Sequence, residues 1–234
     1  MLSDIELQQL IIIDVETVPG YPDYKSLPEP DKKHWDRKSF HIQAGQQSAE
    51  ALYQRAGIYA EFGKVICISA GRTSGDNFSI TSFSGANEAL ILCQFISYLK
   101  KHSRPSTLLC AHNGKEFDFP YLGRRILINR LPLPSILDLA GKKPWEVKHL
   151  DTLELWKFGD YKHYTSLDLL THLFGISSPK QEIDGSKIAG LWWGERNIKK
   201  IRAYCEQDVL AVMNIMRCYK GLQPLSVTEI EYRR

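Results

Sequence analysis

A run of four aliphatic residues that ends directly in an acidic pair is the strongest constraint on the fold. Residues 10–13 read Leu-Ile-Ile-Ile, and Asp14-Val15-Glu16 follows at once. A short apolar run rich in β-branched residues is typical of a strand buried on both faces. Side chains at positions i and i+2 point to the same face of a strand. We therefore predict that Asp14 and Glu16 project together from the end of a buried strand.

The remaining periodicity predicts a mixed α/β fold. Segments with strand patterns follow one another along the first half of the chain, at residues 10–13, 64–70, 78–83 and 107–111. Segments with helical spacing or helix-start signals lie at about 87–102, 120–129, 166–174 and 195–220. A polar insertion at about 20–62, with a helical piece near 49–55, separates the first two strands. We expect one domain spanning residues 1–234, with a central mixed sheet flanked by helices.

Composition excludes several classes of protein. Of the 234 residues, 43% are hydrophobic, which is too many for a disordered chain. No apolar stretch approaches the roughly 18 residues of a spanning helix, and the N-terminus lacks a basic signal-peptide region. These features predict a cytoplasmic protein without membrane contact. The net charge of +3 is too small to indicate nucleic acid by itself.

The cysteines do not predict a disulfide framework or a metal site. There are five of them, an odd number, and none forms a CxxC pair: Cys67, Cys93, Cys110, Cys205 and Cys218. We expect reduced thiols, largely buried, rather than disulfides or a zinc site.

The acidic pair after the first strand has a structural and a functional interpretation. Adjacent carboxylates repel each other unless a cation lies between them, and hard divalent cations prefer oxygen ligands. An isolated acidic pair is more often a solvated strand end. Asp4 and Glu6 have the same spacing, but they lie in a terminal segment. Only Asp14 and Glu16 have a rigid apolar strand before them.

A second motif follows the 107–111 strand. Residues 112–122 read His-Asn-Gly-Lys-Glu-Phe-Asp-Phe-Pro-Tyr-Leu, in which Asn113-Gly114 predicts a turn and Asp118 lies near the start of a helix. An aspartate there commonly only stabilises the helix start. The functional alternative is a third metal-facing carboxylate, with Phe117 and the Asn113 amide near the substrate.

The third motif is Tyr204-Cys205-Glu206-Gln207-Asp208 in the last predicted helix. Residues i and i+4 share a helix face, so Tyr204 and Asp208 are predicted to lie one above the other. Tyr164 and Asp168 have the same spacing, but this pair straddles Ser166, a predicted N-cap. For an isolated pair of this kind, a tyrosine at the core edge beside a solvated acid is the structural alternative.

Together and in this order, the three motifs resemble the DEDDy group of 3′–5′ exonucleases, which carry four acids and a tyrosine. The second motif resembles the exonuclease domain of family B DNA polymerases. Over residues 8–218 the chain is similar to a stand-alone predicted exonuclease family related to that domain. Shorter segments also agree with that family: Leu52-Tyr53, residues 61–65, Asp184-Gly185-Ser186 and Tyr204-Cys205. The resemblance implies an RNase H-like fold.

The resemblance also implies a mechanism. Asp14, Glu16, Asp118 and Asp208 would hold two divalent metal ions, Mg²⁺ or Mn²⁺, and Tyr204 would help to orient the attacking water. Two such ions promote phosphodiester cleavage by activating water and stabilising the leaving oxygen. The related histidine group would carry histidine at position 203, where this chain has alanine.

The implied activity is hydrolysis at the 3′ end of single-stranded DNA, with release of nucleoside 5′-monophosphates. Two alternatives stay open: an exoribonuclease with the same site, and a nucleic-acid-binding module without catalysis. Thr17 is expected to hold the terminal nucleotide, and Phe117 to offer it an apolar surface. Asp151 is expected to cap a helix or brace the site rather than act as a fifth metal ligand.

Overall fold

The computed structural model describes residues 2–43, 47–75, 77–160, 162, 164–176 and 185–233. Asp184 of the Asp-Gly-Ser segment lies outside these residues. The described part of the chain contains no helix that is both long and apolar enough to cross a bilayer.

A six-stranded mixed sheet forms the centre of the fold. Its strands are β1 (Leu10–Pro19), β2 (Gly63–Ser74), β3 (Asn77–Ser84), β4 (Leu108–Ala111), β5 (Leu150–Asp151) and β6 (Ile230–Arg233). Their order in space is β5-β4-β1-β2-β3-β6. The pairs β1–β2 and β2–β3 are antiparallel, whereas β1–β4, β4–β5 and β3–β6 are parallel. The sheet confirms the predicted α/β class and the four predicted strands.

Eight helices surround this sheet within the described residues. They are α1 (Glu29–Gln43), α2 (Ala49–Leu52), α3 (Glu88–His102), α4 (Asp118–Ile128), α5 (Thr152–Lys157), α6 (Leu167–Leu173), α7 (Ile188–Trp193) and α8 (Ile198–Tyr219). The predicted helices correspond to α3, α4, α6 and α8. Helix α4 begins two residues earlier than predicted, so that Asp118 is its first residue. Helix α8 begins three residues later than predicted, after the side chain of Asn197 accepts a hydrogen bond from Lys200 N–H.

Strand β1 is buried on both faces, as its sequence predicts. Ile11, Ile13 and Val15 pack in one core with apolar residues of α3 and α4. Leu10 and Ile12 point the other way and pack in a second core, formed largely with α8. The strand continues past the acids to Pro19, so Asp14 and Glu16 lie within β1 and not at its end. A register shift between Glu16 and Thr17 follows the acidic pair.

The insertion between β1 and β2 is more helical than its sequence predicts. The predicted piece near 49–55 corresponds to α2 and a following 3₁₀ helix, Tyr53–Ile58. The 15-residue helix α1 was not predicted, because it is strongly polar and buries little apart from Trp35 and Ser39. Trp35 is fully buried in a small core of its own with Leu52 and Tyr53.

Candidate active site

Strand β1 and helix α8 together build a cluster of buried acids. Asp14 and Glu16 share the face of β1 that is directed toward α8, and Glu16 is only 7% exposed. Their carboxylate oxygens and the Sγ atom of Cys205, on α8, all lie within 4.8 Å of one another. The two acids are therefore held close together on a rigid strand, as their spacing predicts.

Helix α4 contributes Asp118 to the same cluster. Asp118 is 4% exposed and is the first residue of the helix, so its charge faces the positive end of the helix dipole. Backbone hydrogen bonds from Asp118 itself and from Val15 of β1 lower the pKa of its carboxyl group, against a larger rise caused by burial. Asp118 also interacts electrostatically with Asp14 and Asp208, which places three motifs at one site.

Helix α8 contributes the Tyr204 and Asp208 pair. The two residues lie one helical turn apart, and Asp208 is the charged neighbour that acts most strongly on the Tyr204 hydroxyl. Burial and the charges of Asp208, Glu16 and Asp14, in that order, raise the pKa of Tyr204 far above its usual value. The hydroxyl therefore stays protonated at any physiological pH, and it faces three of the four acids.

The acids raise one another's pKa values. Burial is the largest cause for Asp14, Glu16 and Asp118, and repulsion from neighbouring carboxylates adds to it. The pKa of Asp14 rises to about 7 and that of Asp118 to about 8. The pKa of Glu16 rises well above its usual value, with Asp14 and Asp208 as the main charged neighbours. A cluster of this kind is stabilised in its ionised form by bound cations.

The residues fit a divalent cation. The Oδ2 atom of Asp14 is buried and has no hydrogen-bond partner, which leaves a carboxylate oxygen unsatisfied inside the cluster. Buried polar atoms without partners are rare and costly. The donor set is dominated by carboxylate oxygens, the ligands that Mg²⁺ and Mn²⁺ prefer.

Cys205 is a member of the cluster that its sequence did not reveal. The five cysteines are free thiols, as expected, and Cys205 is fully buried. Its Sγ atom donates a hydrogen bond to the backbone oxygen of Asp14 at 3.3 Å. Burial is the main cause that raises the pKa of the Cys205 thiol, and the neighbouring Cys67 thiol adds to the rise. The one feature of the sequence that could have identified Cys205 is its position next to Tyr204, on the inward face of the helix.

Asp151 supports the site from outside the cluster, as expected. At the end of β5, its carboxylate accepts hydrogen bonds from the backbone N–H groups of Leu153 and Glu154, and so caps α5. It also accepts from the N–H of Asn113 at 2.9 Å and of Lys115 at 3.1 Å. These bonds hold the turn after β4, in which Asn113 has a left-handed φ of 61°.

The structure gives the surroundings of the three residues expected to contact the substrate. The Thr17 hydroxyl donates to the backbone oxygen of Gly57 at 2.9 Å. Phe117 is half-buried and packs against Tyr121, with ring centroids 5.2 Å apart. Asn113 is half-buried in the turn after β4.

Two further pairs have the same spacing as the acidic pair and the Tyr204–Asp208 pair, and we call them the decoy motifs: Asp4 with Glu6, and Tyr164 with Asp168. Burial and the charges of Asp151, Glu116 and Asp118 raise the pKa of Tyr164, so this tyrosine lies near the site. Asp4 is exposed near the N-terminus and pairs locally with Ser3. Tyr164 is 66% exposed and precedes the N-cap of α6, so it shares no helical face with Asp168.

A mixed sheet flanked by helices, with buried or half-buried acids from β1, α4 and α8, defines an RNase H-like fold of the exonuclease type. The chain belongs to the family described as predicted 3′–5′ exonucleases related to the exonuclease domain of PolB, whose profile matches residues 58–223. The matched segment contains Asp118, Tyr204 and Asp208, while Asp14 and Glu16 lie before it.

A solved structure supports the fold. The chain is similar to the family B DNA polymerase from the hyperthermophilic archaeon Pyrobaculum calidifontis, with a TM-score of 0.56 and 14% sequence identity. The match covers 87% of this chain but 23% of the polymerase chain. No curated protein matches the sequence.

Proposed function

We propose that this exonuclease removes nucleotides one at a time from the 3′ end of single-stranded DNA, by a mechanism that uses two metal ions. The observation that carries the proposal is the convergence of Asp14, Glu16, Asp118 and Asp208 from three separate elements, with the Tyr204 hydroxyl beside Asp208. A structural role alone gives no reason to bring four buried or half-buried carboxylates together, because each one raises the free energy of its ionised neighbours.

The four acids would hold two divalent cations, Mg²⁺ or Mn²⁺. Bound there, such ions lower the pKa of water and offset negative charge on a phosphate and on the leaving oxygen. The unsatisfied Oδ2 atom of Asp14 and the raised pKa of Asp118 favour this assignment, since both describe carboxylates that lack a counter-charge.

Tyr204 positions the nucleophilic water. Its hydroxyl is kept protonated by burial and by nearby carboxylates, of which Asp208 acts most strongly. A hydroxyl group in this state can hold a water molecule by a hydrogen bond without taking its proton. Positioning of a reactant in this way lowers the entropic part of the barrier.

The substrate-side residues orient the terminal nucleotide. The Phe117 ring offers an apolar surface for a base, and Asn113 offers an amide at the adjacent turn. Thr17 follows the acids on β1, and its hydroxyl is bonded to the backbone oxygen of Gly57. These three residues would fix the last phosphodiester bond relative to the acids.

A degradation assay on labelled oligonucleotides tests the proposal. A single-stranded DNA labelled at its 5′ end should give a descending ladder with Mg²⁺ or Mn²⁺, and no product with chelator. Asp208→Asn should abolish the ladder, whereas Asp168→Asn, at the decoy motif, should not. Intact DNA under conditions in which a control exonuclease is active would contradict the proposal.

The same assay separates the alternatives. A matched RNA that is degraded much faster than DNA would identify an exoribonuclease, because the sugar is distinguished by local contacts to the 2′-OH. Binding of either strand without any metal-dependent product would identify a non-catalytic module.

A further inference from the structure

A groove with a basic wall lies between α1 and the start of β2. Its volume is about 720 Å³. One wall is formed by α1, and the other by residues that include Tyr21, Phe62 and Lys64. Helix α1 lies outside the segment that matches the exonuclease family. The opposite wall, which includes Phe62 and Lys64, lies within that segment.

Four of the six basic residues of α1 form a stripe along this groove. His34, Arg37, Lys38 and His41 all line it, and their spacing of i, i+3, i+4 and i+7 places them on one face of the helix. The four residues are exposed and span on the order of 10 Å along the helix axis.

The buried face of α1 keeps its basic residues directed at the groove. Trp35 is fully buried, and its indole N–H donates to the backbone oxygen of Ala49 at 2.8 Å. Ser39, one turn further on, is 4% exposed. Because α1 is anchored through these two residues, it cannot rotate to turn its basic face away from the groove.

The acids of the groove only partly offset its positive charge. Glu88 forms a buried ion pair with Arg125, whose Nε atom donates to Glu88 Oε1 at 2.8 Å. Asp31 and Glu61 also line the groove. Against these two acids stand Arg37, Lys38 and Lys64, with the two histidines in addition.

Aromatic residues lie among these cations. Tyr21 is 37% exposed, and Phe62 lines the same groove. The Lys64 ammonium lies 4.4 Å from the ring centroid of Trp193. Cations interleaved with aromatic rings suit a single-stranded nucleic acid, whose phosphates and base faces can be bound without sequence preference.

Strand β1 connects the acidic site to the groove. The strand that carries Glu16 leads directly to Gly20 and Tyr21 at the groove, and Gly20 N–H is held by the backbone oxygen of Phe62 at 2.8 Å. Four strand residues span about 13 Å. This distance corresponds to roughly four stacked nucleotides at 3.4 Å each.

We propose that this groove binds the sugar-phosphate backbone of the single strand a few nucleotides before the 3′ end that occupies the acidic site. The proposal rests on the proposed function for the identity of the strand. The affinity for a single strand should therefore depend on its length, because a strand too short to reach the groove makes no contact with the cations of α1.

A charge-reversal variant tests this groove. Arg37→Glu combined with Lys38→Glu should weaken binding of a fluorescent 20-nucleotide single strand, measured by anisotropy with chelator present, by at least about tenfold. Each lost phosphate contact reduces the slope of log affinity against log salt by about 0.7 for a single strand. The double variant should therefore have a slope smaller by about 1.4. Hydrolysis of a trinucleotide should stay within about twofold of the wild type.

A matched control places the same change elsewhere. Lys100→Glu with Lys101→Glu reverses two exposed lysines at the far end of α3, about 18 Å along the helix from Glu88 at the groove. This control should bind the 20-mer almost as well as the wild type. Thermal melting of both variants checks that they are folded, and Arg37→Gln with Lys38→Gln replaces the reversal if that variant is destabilised.

Two results would overturn the proposal: wild-type affinity in the α1 variants, or equal loss in the α1 and α3 variants. Failure of the proposed function is recognised separately. In that case the wild type hydrolyses neither the trinucleotide nor the 20-mer, while the anisotropy measurement still decides whether the groove binds a single strand.

Discussion

The carboxylate of Asp151 accepts a hydrogen bond from the backbone N–H of Asn113 at 2.9 Å, which ties the end of β5 to the turn after β4. The same carboxylate accepts from Lys115 N–H and caps α5. That turn leads within a few residues to Phe117 and Asp118. One side chain outside the cluster of acids therefore sets the position of residues inside it.

Asp151→Asn should destabilise the protein and slow the reaction. The amide of asparagine retains one acceptor oxygen but directs an NH₂ group at backbone donors, so at least one buried N–H loses its partner. We expect a loss of about 1–3 kcal/mol in the free energy of unfolding, measured with urea. Asp160→Asn, in an exposed turn that bonds Lys162 N–H, should cost no more than about 0.5 kcal/mol. Equal effects of the two substitutions would contradict the bracing role.

Asp14→Asn should abolish hydrolysis while the metal-free protein stays folded. The substitution removes a carboxylate whose pKa is raised to about 7 by burial and by Asp118, so it relieves repulsion when no cation is bound. We expect a loss of at least about 10³-fold in kcat and no decrease in Tm with chelator present. Asp4→Asn, at the decoy with the same spacing, should leave both unchanged. Retained activity in Asp14→Asn would remove this residue from the mechanism.

Tyr204→Phe should reduce the rate without affecting the fold. The substitution deletes only the hydroxyl on which Asp208 acts, and it keeps the ring that packs against the core formed with β1, β2 and α7. Loss of one oriented hydrogen-bonding group at a reacting centre costs on the order of 10²-fold in kcat. KM and Tm should change little. Tyr98→Phe is the matched control, because it deletes a hydroxyl on α3 that is buried and has no hydrogen-bond partner among the described residues. A similar rate for both variants would argue against a role of Tyr204 in positioning water.

Removal of metal should destabilise the protein more at high pH than at low pH. The pKa values of Asp14 and Asp118 are raised in the folded state to about 7 and 8, from usual values near 3.8. Between about pH 4 and pH 8 the metal-free folded state thus retains protons that the unfolded state has released, so its stability falls as pH rises. Bound cations offset this loss by stabilising the ionised acids.

Calorimetry with Mg²⁺ and with chelator measures this effect. The difference in Tm between the two conditions should be larger at pH 8.5 than at pH 6, by several degrees. It should shrink at both pH values in Asp14→Asn combined with Asp118→Asn. A difference that is independent of pH would contradict the assignment of these acids as cation ligands.

Gly71→Ala should destabilise the packing of α8 on the sheet. A Cβ atom at Gly71 would lie 2.6 Å from Cγ1 of Val209 and would also collide with the ring of Phe78. Overpacking of this kind costs about 1–3 kcal/mol. Gly190→Ala is the control, because nothing lies within 4 Å of its added Cβ and the site is helical. Gly190→Ala should be neutral or stabilising by up to about 1 kcal/mol. A destabilised Gly190→Ala variant together with a neutral Gly71→Ala variant would contradict close packing at Gly71.

Much of the site could be predicted because its motifs are local. Asp14 and Glu16 share a face through the pleat of one strand, and Tyr204 and Asp208 meet through the period of one helix. The apolar run before Asp14 identified the central strand. Helix α1 escaped prediction because its stability depends on Trp35, whose partners lie in α2 and the following 3₁₀ helix.

The sequence by itself determined which acids can pair within an element, because side-chain direction in strands and helices depends on local backbone geometry. Only the tertiary structure decided that the three motifs meet, that Cys205 joins them and that Asp151 holds the Asn113 turn. Cys205 and the Asp14 backbone oxygen that it bonds are 191 positions apart in the chain. Such contacts depend on the order of strands in the sheet and on the packing of α8 against β1, and no local periodicity encodes either one.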